Sequence, residues 1–348
     1  MSILLSPISV KGLTLKNRIV MPPMCQYSVA KKDGIATDWH FVHYLSRAIG
    51  GAGLIIVEAT GVSPDGRITD NDLGLWDDAQ MPALKRIVDG VHAYGAKIAI
   101  QLSHAGRKAQ DAASPAIPST KFSPIDSDPL PKPHELSVAE IHEIVAQFAA
   151  AVQRAVEIGF DAIEIHGAHG YLIHQFISLT INQRTDEYGQ DCARFGVEVL
   201  RRVKPLLPES MPLLMRLSAI EYMDGGYELD HALSVAEKFV AAGVDGFHIS
   251  SGGEAAPGIK KPGNYPGYQV PFAQAFKERF NLPTIAVGLL GDPLLAESVL
   301  ANENADLVAV GRGMLKDAYW ALHAEEVLTG EVKNPPEQYL RSHNRRFL

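Results

Sequence analysis

Cysteine is scarce here: Cys25 and Cys192 are the only two in 348 residues. Two thiols that far apart cannot form the Cys-rich run an iron–sulfur cluster needs. So low a count points to a reducing compartment rather than a disulfide-stapled secreted fold. Long apolar runs are also missing; none reaches the roughly 18 residues of a membrane span. Met1–Leu5 lacks the charged start and full apolar core of a signal peptide. Positive charge is not in excess, with 32 Lys and Arg against 40 Asp and Glu and a net charge of −8. That balance argues against a nucleic-acid or anionic-membrane surface. No Gly-x-Gly-x-x-Gly follows an early strand, so the dinucleotide fingerprint is absent. The expectation is a cytoplasmic protein with neither nucleic acid nor membrane as partner.

What is present is rhythm. Leu4–Val10 and Leu13–Leu15 flank Lys11-Gly12 and predict a small N-terminal hairpin. Eight short apolar runs follow: Arg18–Met21, Leu54–Val57, Lys97–Leu102, Ala162–Ile165, Leu213–Leu217, Gly246–Ile249, Thr284–Val287 and Leu307–Val310. Each reads as a buried strand, and amphipathic helices separate them. Ile141, Ile144, Val145, Phe148, Val152 and Val156 make one helical stripe behind a Ser137-x-x-Glu140 capping box. A second helix, Ala232–Ala242, ends in Gly243. The hinges Gly159-Phe160-Asp161, Gly243-Val244-Asp245 and Asn304-Ala305-Asp306 recur, with Gly or Asn suited to a left-handed helix stop. Strand-helix alternation predicts an α/β fold, a (β/α)8 TIM barrel with long strand-to-helix loops, with a doubly wound sheet as runner-up. Residues 1–348 read as one domain. The long loops are Ser103–Leu136, Gly170–Ala193 and Ser251–Gln269, and Ser114–Pro133 reads as a lid or rim.

Chemistry in such barrels gathers at the carboxyl ends of the strands. Those ends carry Cys25 and Tyr27, Ala59, Gln101 with His104 and Lys108, then His166, His169 and Tyr171. Arg216, Ser250-Ser251, Gly288 and Gly311-Arg312 complete the set. Imidazole and phenol donate hydrogen bonds to a developing oxyanion and pass protons near neutral pH. Glycines closing the last two strands suit close backbone approach to a phosphate. Taken singly, each residue has a plain structural alternative: Arg216 could pair with Glu164 or Glu58, and His-x-x-His could be half of a zinc site.

The residues match a family. Leu15-Lys16-Asn17-Arg18-Ile19-Val20-Met21-Pro22-Pro23-Met24-Cys25, Gly66–Asp70, Gln101–Lys108, Ile165–His174 and Asn182–Gly189 together resemble the old yellow enzymes. The likeness runs from about Leu5 to Tyr339, and it is to the bacterial branch with a cysteine over the flavin. It implies an FMN-dependent NADPH (or NADH) dehydrogenase, an ene-reductase acting on the C=C bond of α,β-unsaturated carbonyls. Nitro compounds and other xenobiotics are further acceptors it implies. By the same resemblance Pro22, Pro23, Met24, Cys25, Ala59, Gln101, Arg216, Gly311 and Arg312 contact FMN; Gly288, the glycine at the end of the seventh strand, is the expected phosphate neighbour from its strand-end position. His166 and His169 bind the substrate carbonyl, Tyr171 donates the proton, and Tyr27 and Lys108 line the pocket. Pro335–Arg341 resembles a tail that reaches into a neighbouring subunit's pocket, so Arg341 joins the substrate residues and a homodimer or homotetramer is implied.

Two stretches depart from the family pattern: Gln190–Phe195 is shorter and Gly252–Gly267 longer. Two other function classes stand beside the enzyme reading. One is a non-catalytic flavin-binding redox module, which would not need Tyr171 with two carbonyl-binding histidines. The other is a metal-dependent barrel enzyme built on His166 and His169, which lacks a plausible third ligand.

Overall fold

The structure is a computed structural model that describes residues 2–119, 133–254, 258–333 and 335–343. Most of the expected lid, residues 120–132, lies outside the described residues. At the start, β1 (Ile8–Val10) pairs antiparallel with β2 (Leu13–Leu15). The barrel strands then follow: β3 (Ile19–Met21), β4 (Leu54–Gly61) and β5 (Lys97–Ser103). A separate parallel ladder of β6 (Ala116–Ile117) and β7 (His134–Glu135) ties the base of the lid stretch. The barrel resumes with β8 (Ala162–Gly167), β9 (Leu213–Ser218), β10 (Gly246–Ser250), β11 (Thr284–Ala286) and β12 (Leu307–Ala309). These eight close on themselves in the order β3-β4-β5-β8-β9-β10-β11-β12, every neighbouring pair parallel. The barrel is the expected TIM fold, and each expected strand is there.

Side chains alternate across a strand, and that alternation sorts the core. Ile55, Val57, Ile98, Ile100, Ile163, Ile165, Met215, Leu217, Phe247 and Ile249 pack in one cluster with the helices. The intervening residues Val20, Leu54, Ile56, Ala99, Ala162, Leu214, Ile285, Leu307 and Ala309 form a second, inner cluster. Val10, Leu13 and Leu15 belong to that inner cluster, so the hairpin plugs the amino-terminal end of the barrel. Further along the same inward positions the residues turn polar: Glu58, Gln101, Glu164, Arg216 and His248, none more than 7% exposed. Buried polar groups are costly unless they are hydrogen-bonded. The gradient from apolar plug to polar floor therefore marks the end of the barrel that works.

The capping box is present: Ser137 Oγ accepts from the Glu140 N–H at the head of helix Val138–Ile158. That helix stops at Gly159, with φ +99°, and helix Leu229–Ala241 is followed by Gly243, with φ +104°. In the third unit the left-handed residue is Glu303, φ +59°, not Asn304. Helix Pro293–Ala301 ends early enough to place it there, and the Asn304 amide is drawn to Gln274 Oε1 at 2.9 Å. The hinge aspartates share one task. Asp161, Asp245 and Asp306 accept from the backbone N–H of Ile98, Leu213 and Thr284 at 2.9, 2.8 and 3.0 Å. Their own N–H groups donate back to the carbonyls of those same residues. Each also holds a lysine, Lys97, Lys204 or Lys277, within 3.0 Å. The repeated hinge thus fastens each strand to the start of its neighbour.

The three long loops differ. Two of them carry short elements, a 3-10 turn Gly106–Lys108 in the first and helices Leu172–Ile177 and Glu187–Gln190 in the second, whereas the described part of Ser251–Gln269 holds none. In the shortened Gln190–Phe195 stretch, Phe195 is fully buried against Phe176, ring centroids 4.6 Å apart.

Candidate active site at the carboxyl ends of the strands

His166 is the inward position that follows Glu164 on β8. After Gly167 the chain turns through two left-handed residues, His169 at φ +62° and Gly170 at φ +75°. Only glycine suits the second, because a Cβ there would lie 2.4 Å from the Gly253 carbonyl oxygen. The turn folds three side chains from six residues onto one spot. The His166 ring centroid lies 5.2 Å from that of His169 and 4.9 Å from that of Tyr171, both edge-on.

Burial, reinforced by the Arg216 charge, holds both imidazoles well below the ordinary histidine range, so each is neutral. The Ala168 N–H donates to His166 Nδ1 at 3.3 Å, which leaves the proton on Nε2. His169 is committed differently. Its Nε2 lies 2.8 Å from Ser250 Oγ, and the Ser250 hydroxyl donates to Gln269 Oε1 at 3.0 Å. Ser250 must therefore accept from His169. Two N–H donors were expected to converge on a substrate oxygen; here only that of His166 is uncommitted. Tyr171 is held above the usual phenol range, first by burial and then by Cys25, Tyr27 and Asp72, and keeps its proton. Lys108, expected to line the pocket, is half-buried beside this turn. Its ammonium donates to the carbonyls of His169, at 2.8 Å, and Gly253, and lies 5.8 Å from the Tyr171 ring centroid.

The opposite wall is apolar. Ala59, Ile68, Ala105, Ala109 and Ala112 cluster there, with Cys25 and Tyr171 packed against them. Burial, then the Asp72 and Glu58 carboxylates, push the Cys25 thiol up, so it is no thiolate nucleophile. Pro22 and Pro23 are buried behind it and Met24 is half-buried. Glu58 fixes the turn, accepting from the Gln26 N–H at 3.1 Å and from the Tyr44 hydroxyl at 2.7 Å. Tyr27 takes φ +50° and is half exposed; burial, then Cys25 and Asp72 nearby, push its phenol up to about 12.

Beside the site lies a cavity of about 410 Å3, lined by Gln269, Gly288, Gly291, Gly311, Arg312 and Lys316. Gly288 sits at φ +126°. Two cations and several side-chain-free backbone positions make this a place for a phosphate. On the barrel floor Gln101 Nε2 donates to Glu164 Oε1 at 2.7 Å. Arg216 is buried, and its Nε has no partner among the described residues. An orphaned guanidinium N–H on the floor and an anion cradle beside it fit FMN: Gln101 and Arg216 would hold its ring, the cavity its phosphate. Gln269 and Lys316 had not been read as site residues from sequence, and Ser250 had been placed at its strand end without a role. Ser250 and Gln269 bound the β10 loop, which was the available signal; Lys316 carried none.

Arg341 is not gathered here. It is exposed, and its segment follows Pro336–Gln338, which line a surface pocket with Lys16, Gly51 and Tyr94. Among the described residues the one group with ligand atoms close enough to share a metal ion is His174, Glu221 and Glu254. It includes neither His166 nor His169. Both His174 nitrogens are engaged besides, Nδ1 by the Gly170 N–H and Nε2 by Tyr227, each at 2.8 Å.

The features of this site fit the flavin-dependent oxidoreductases built on a closed parallel barrel. The chain belongs to the NADH:flavin oxidoreductase / NADH oxidase family, whose model matches residues 3–331. This is the old yellow enzyme family that the motifs indicated. It is 48% identical to an NADPH dehydrogenase of Listeria monocytogenes serotype 4a (strain HCC23) over 347 residues, 98% of this chain and 99% of that one. To an NADPH dehydrogenase of Bacillus subtilis (strain 168) it is 44% identical over 342 residues, 97% of this chain and 98% of the other. Among solved structures it resembles a morphinone reductase in complex with tetrahydroNAD, with a TM-score of 0.79 and 29% identity, covering 96% of this chain and 93% of that one. The protein is thus an enzyme, an FMN oxidoreductase drawing on a nicotinamide.

Proposed function

We propose that this enzyme reduces the activated C=C bond of α,β-unsaturated carbonyls, with NADPH as reductant and Tyr171 as proton donor. The observation that carries the reading is the half-buried, protonated Tyr171 packed edge-on to a neutral His166 whose Nε2–H is free. FMN held by Gln101 and Arg216 would supply the hydride, drawn from the nicotinamide. The chain's own residues do the rest. His166 Nε2 donates to the carbonyl oxygen and draws electron density from the β-carbon. His169 joins it once its ring leaves Ser250. Tyr171 then delivers its proton to the α-carbon. Cys25, held as a thiol, offers the ring a weak donor without attacking anything. The alanine-lined wall excludes water, and nitro compounds would engage the same oxygen donors.

Anaerobic NADPH oxidation with cyclohex-2-enone tests this, with the saturated ketone as the product sought. A phenol added to the oxidised enzyme should produce a long-wavelength charge-transfer band, since a phenolate oxygen suits the same donor. NADPH oxidation that proceeds with quinones but yields no saturated ketone would contradict the proposal.

We further propose that the Arg341 tail serves a neighbouring copy of the chain. Its support is the family resemblance and the exposure of Arg341 within one protomer.

A further inference from the structure

Glu164 is a carboxylate in the middle of an apolar strand, fully buried on the inside of the barrel. A buried carboxylate persists only when charges or donors answer each oxygen. Oε1 accepts from Gln101 Nε2 at 2.7 Å, and Oε2 accepts from His248 Nδ1 at 2.8 Å. Burial pushes the carboxyl up, but the hydrogen bonds from His248 and Gln101 and the charge of Arg216 outweigh it and hold it below the ordinary range, so it is ionised. His248 is held down by burial and by Arg216; it is neutral, with its proton on the nitrogen facing Glu164. The neutral imidazole therefore orients Glu164 without cancelling its charge. Arg216, directly across the ladder from His248, feels that charge.

Two consequences follow for the residues that meet the flavin. The Gln101 amide cannot flip, because its NH2 is committed to a carboxylate that only accepts. Its oxygen and second N–H are thereby presented to a ligand in one fixed order. The positive charge of Arg216 is also partly offset from below, at the point where negative charge builds up when a flavin is reduced. We propose that Glu164, clamped by His248, is a positioning residue that fixes the face Gln101 offers to FMN and sets how strongly Arg216 favours the reduced flavin. It touches neither flavin nor substrate and acts only through these two neighbours.

Two substitutions separate the two effects. Glu164→Gln keeps an oxygen for Gln101 and removes the charge; His248 can shift its proton to the other nitrogen and accept from the new amide. Reduced FMN should then bind about tenfold more tightly relative to oxidised FMN, a rise in reduction potential of about 30 mV for a two-electron couple. Glu164→Asp keeps the charge and withdraws it from Gln101. The potential should stay near wild type, while the Kd for FMN, from fluorescence titration of the apoprotein, rises several-fold.

The inference rests on FMN occupying this mouth, which the visible spectrum of the wild type establishes separately; a wild type without flavin would overturn the binding reading and this one together. With flavin bound, a Glu164→Gln potential equal to wild type would overturn the inference alone. So would a Glu164→Asp protein matching wild type in both potential and Kd. A purely structural role would lower the melting temperature of both variants and leave the bound-flavin potential unmoved. If Glu164→Gln does not fold, Glu164→Asp decides by its Kd and potential.

Discussion

At the scale of single residues, the candidate site is built of groups held in their uncharged forms. Tyr171 and Cys25 are pushed up by burial and nearby acids, and His166 and His169 are pushed down by burial and Arg216. All four are therefore neutral at pH 7, able to donate but not to attack. For Cys25 this has a direct consequence. A thiol is a weak donor, worth about 1 kcal/mol at most, so Cys25→Ala should move the flavin reduction potential by no more than roughly 20 mV and leave turnover measurable. Total loss of activity with FMN still bound would instead demand a nucleophilic cysteine. The identities of these residues were readable because strand ends and motifs announce them. Their bonds were not: the commitment of His169 to Ser250 and of Lys108 to two backbone carbonyls depends on loops meeting in space.

Among elements, the three hinge aspartates carry the most distinct expectation. Periodicity alone exposed the barrel, because buried parallel strands are continuous apolar runs and the helices between them show clear stripes. The repeated hinge, Gly-x-Asp twice and Asn-x-Asp once, stood out as pattern, and its glycine explained two of the helix stops. The aspartate's role was hidden, since its partner N–H lies on another strand. Asp245 accepts from Leu213 N–H and holds Lys204 and Lys11 within 3.5 Å. Asp245→Ala leaves that N–H unsatisfied and should destabilise the protein by about 1–3 kcal/mol, seen as a lower urea midpoint at unchanged m-value. A shift below about 0.5 kcal/mol, the size of an ordinary surface substitution, would mean the hinge only terminates a helix. One hinge was misread by a residue: the left-handed position belongs to Glu303 because Asn304 is held by Gln274.

For the molecule as a whole, the barrel divides into a hydrophobic plug, a charged floor and a reactive mouth, in that order along its axis. Among the described residues no helix is long and apolar enough to cross a membrane. If the Arg341 tail serves a second copy, Arg341→Ala should raise KM for the enone more than it lowers kcat, and light scattering should give at least a dimer. A fully active monomer would rule that out. The floor's internal order was the least legible part of the chain, since Glu164 in an apolar run signals only that something must neutralise it. The mouth was the most legible, and the proposal for it is a division of labour in which His166 would polarise and Tyr171 would protonate. Stopped-flow measurement of the two half-reactions in Tyr171→Phe tests that division most directly, because the change removes the proton and keeps the ring. A general acid contributes about 10²–10⁴-fold, so reoxidation by the enone should slow by that factor while reduction by NADPH stays near wild type. Equal slowing of both half-reactions would contradict the assignment and leave Tyr171 as a shaper of the pocket.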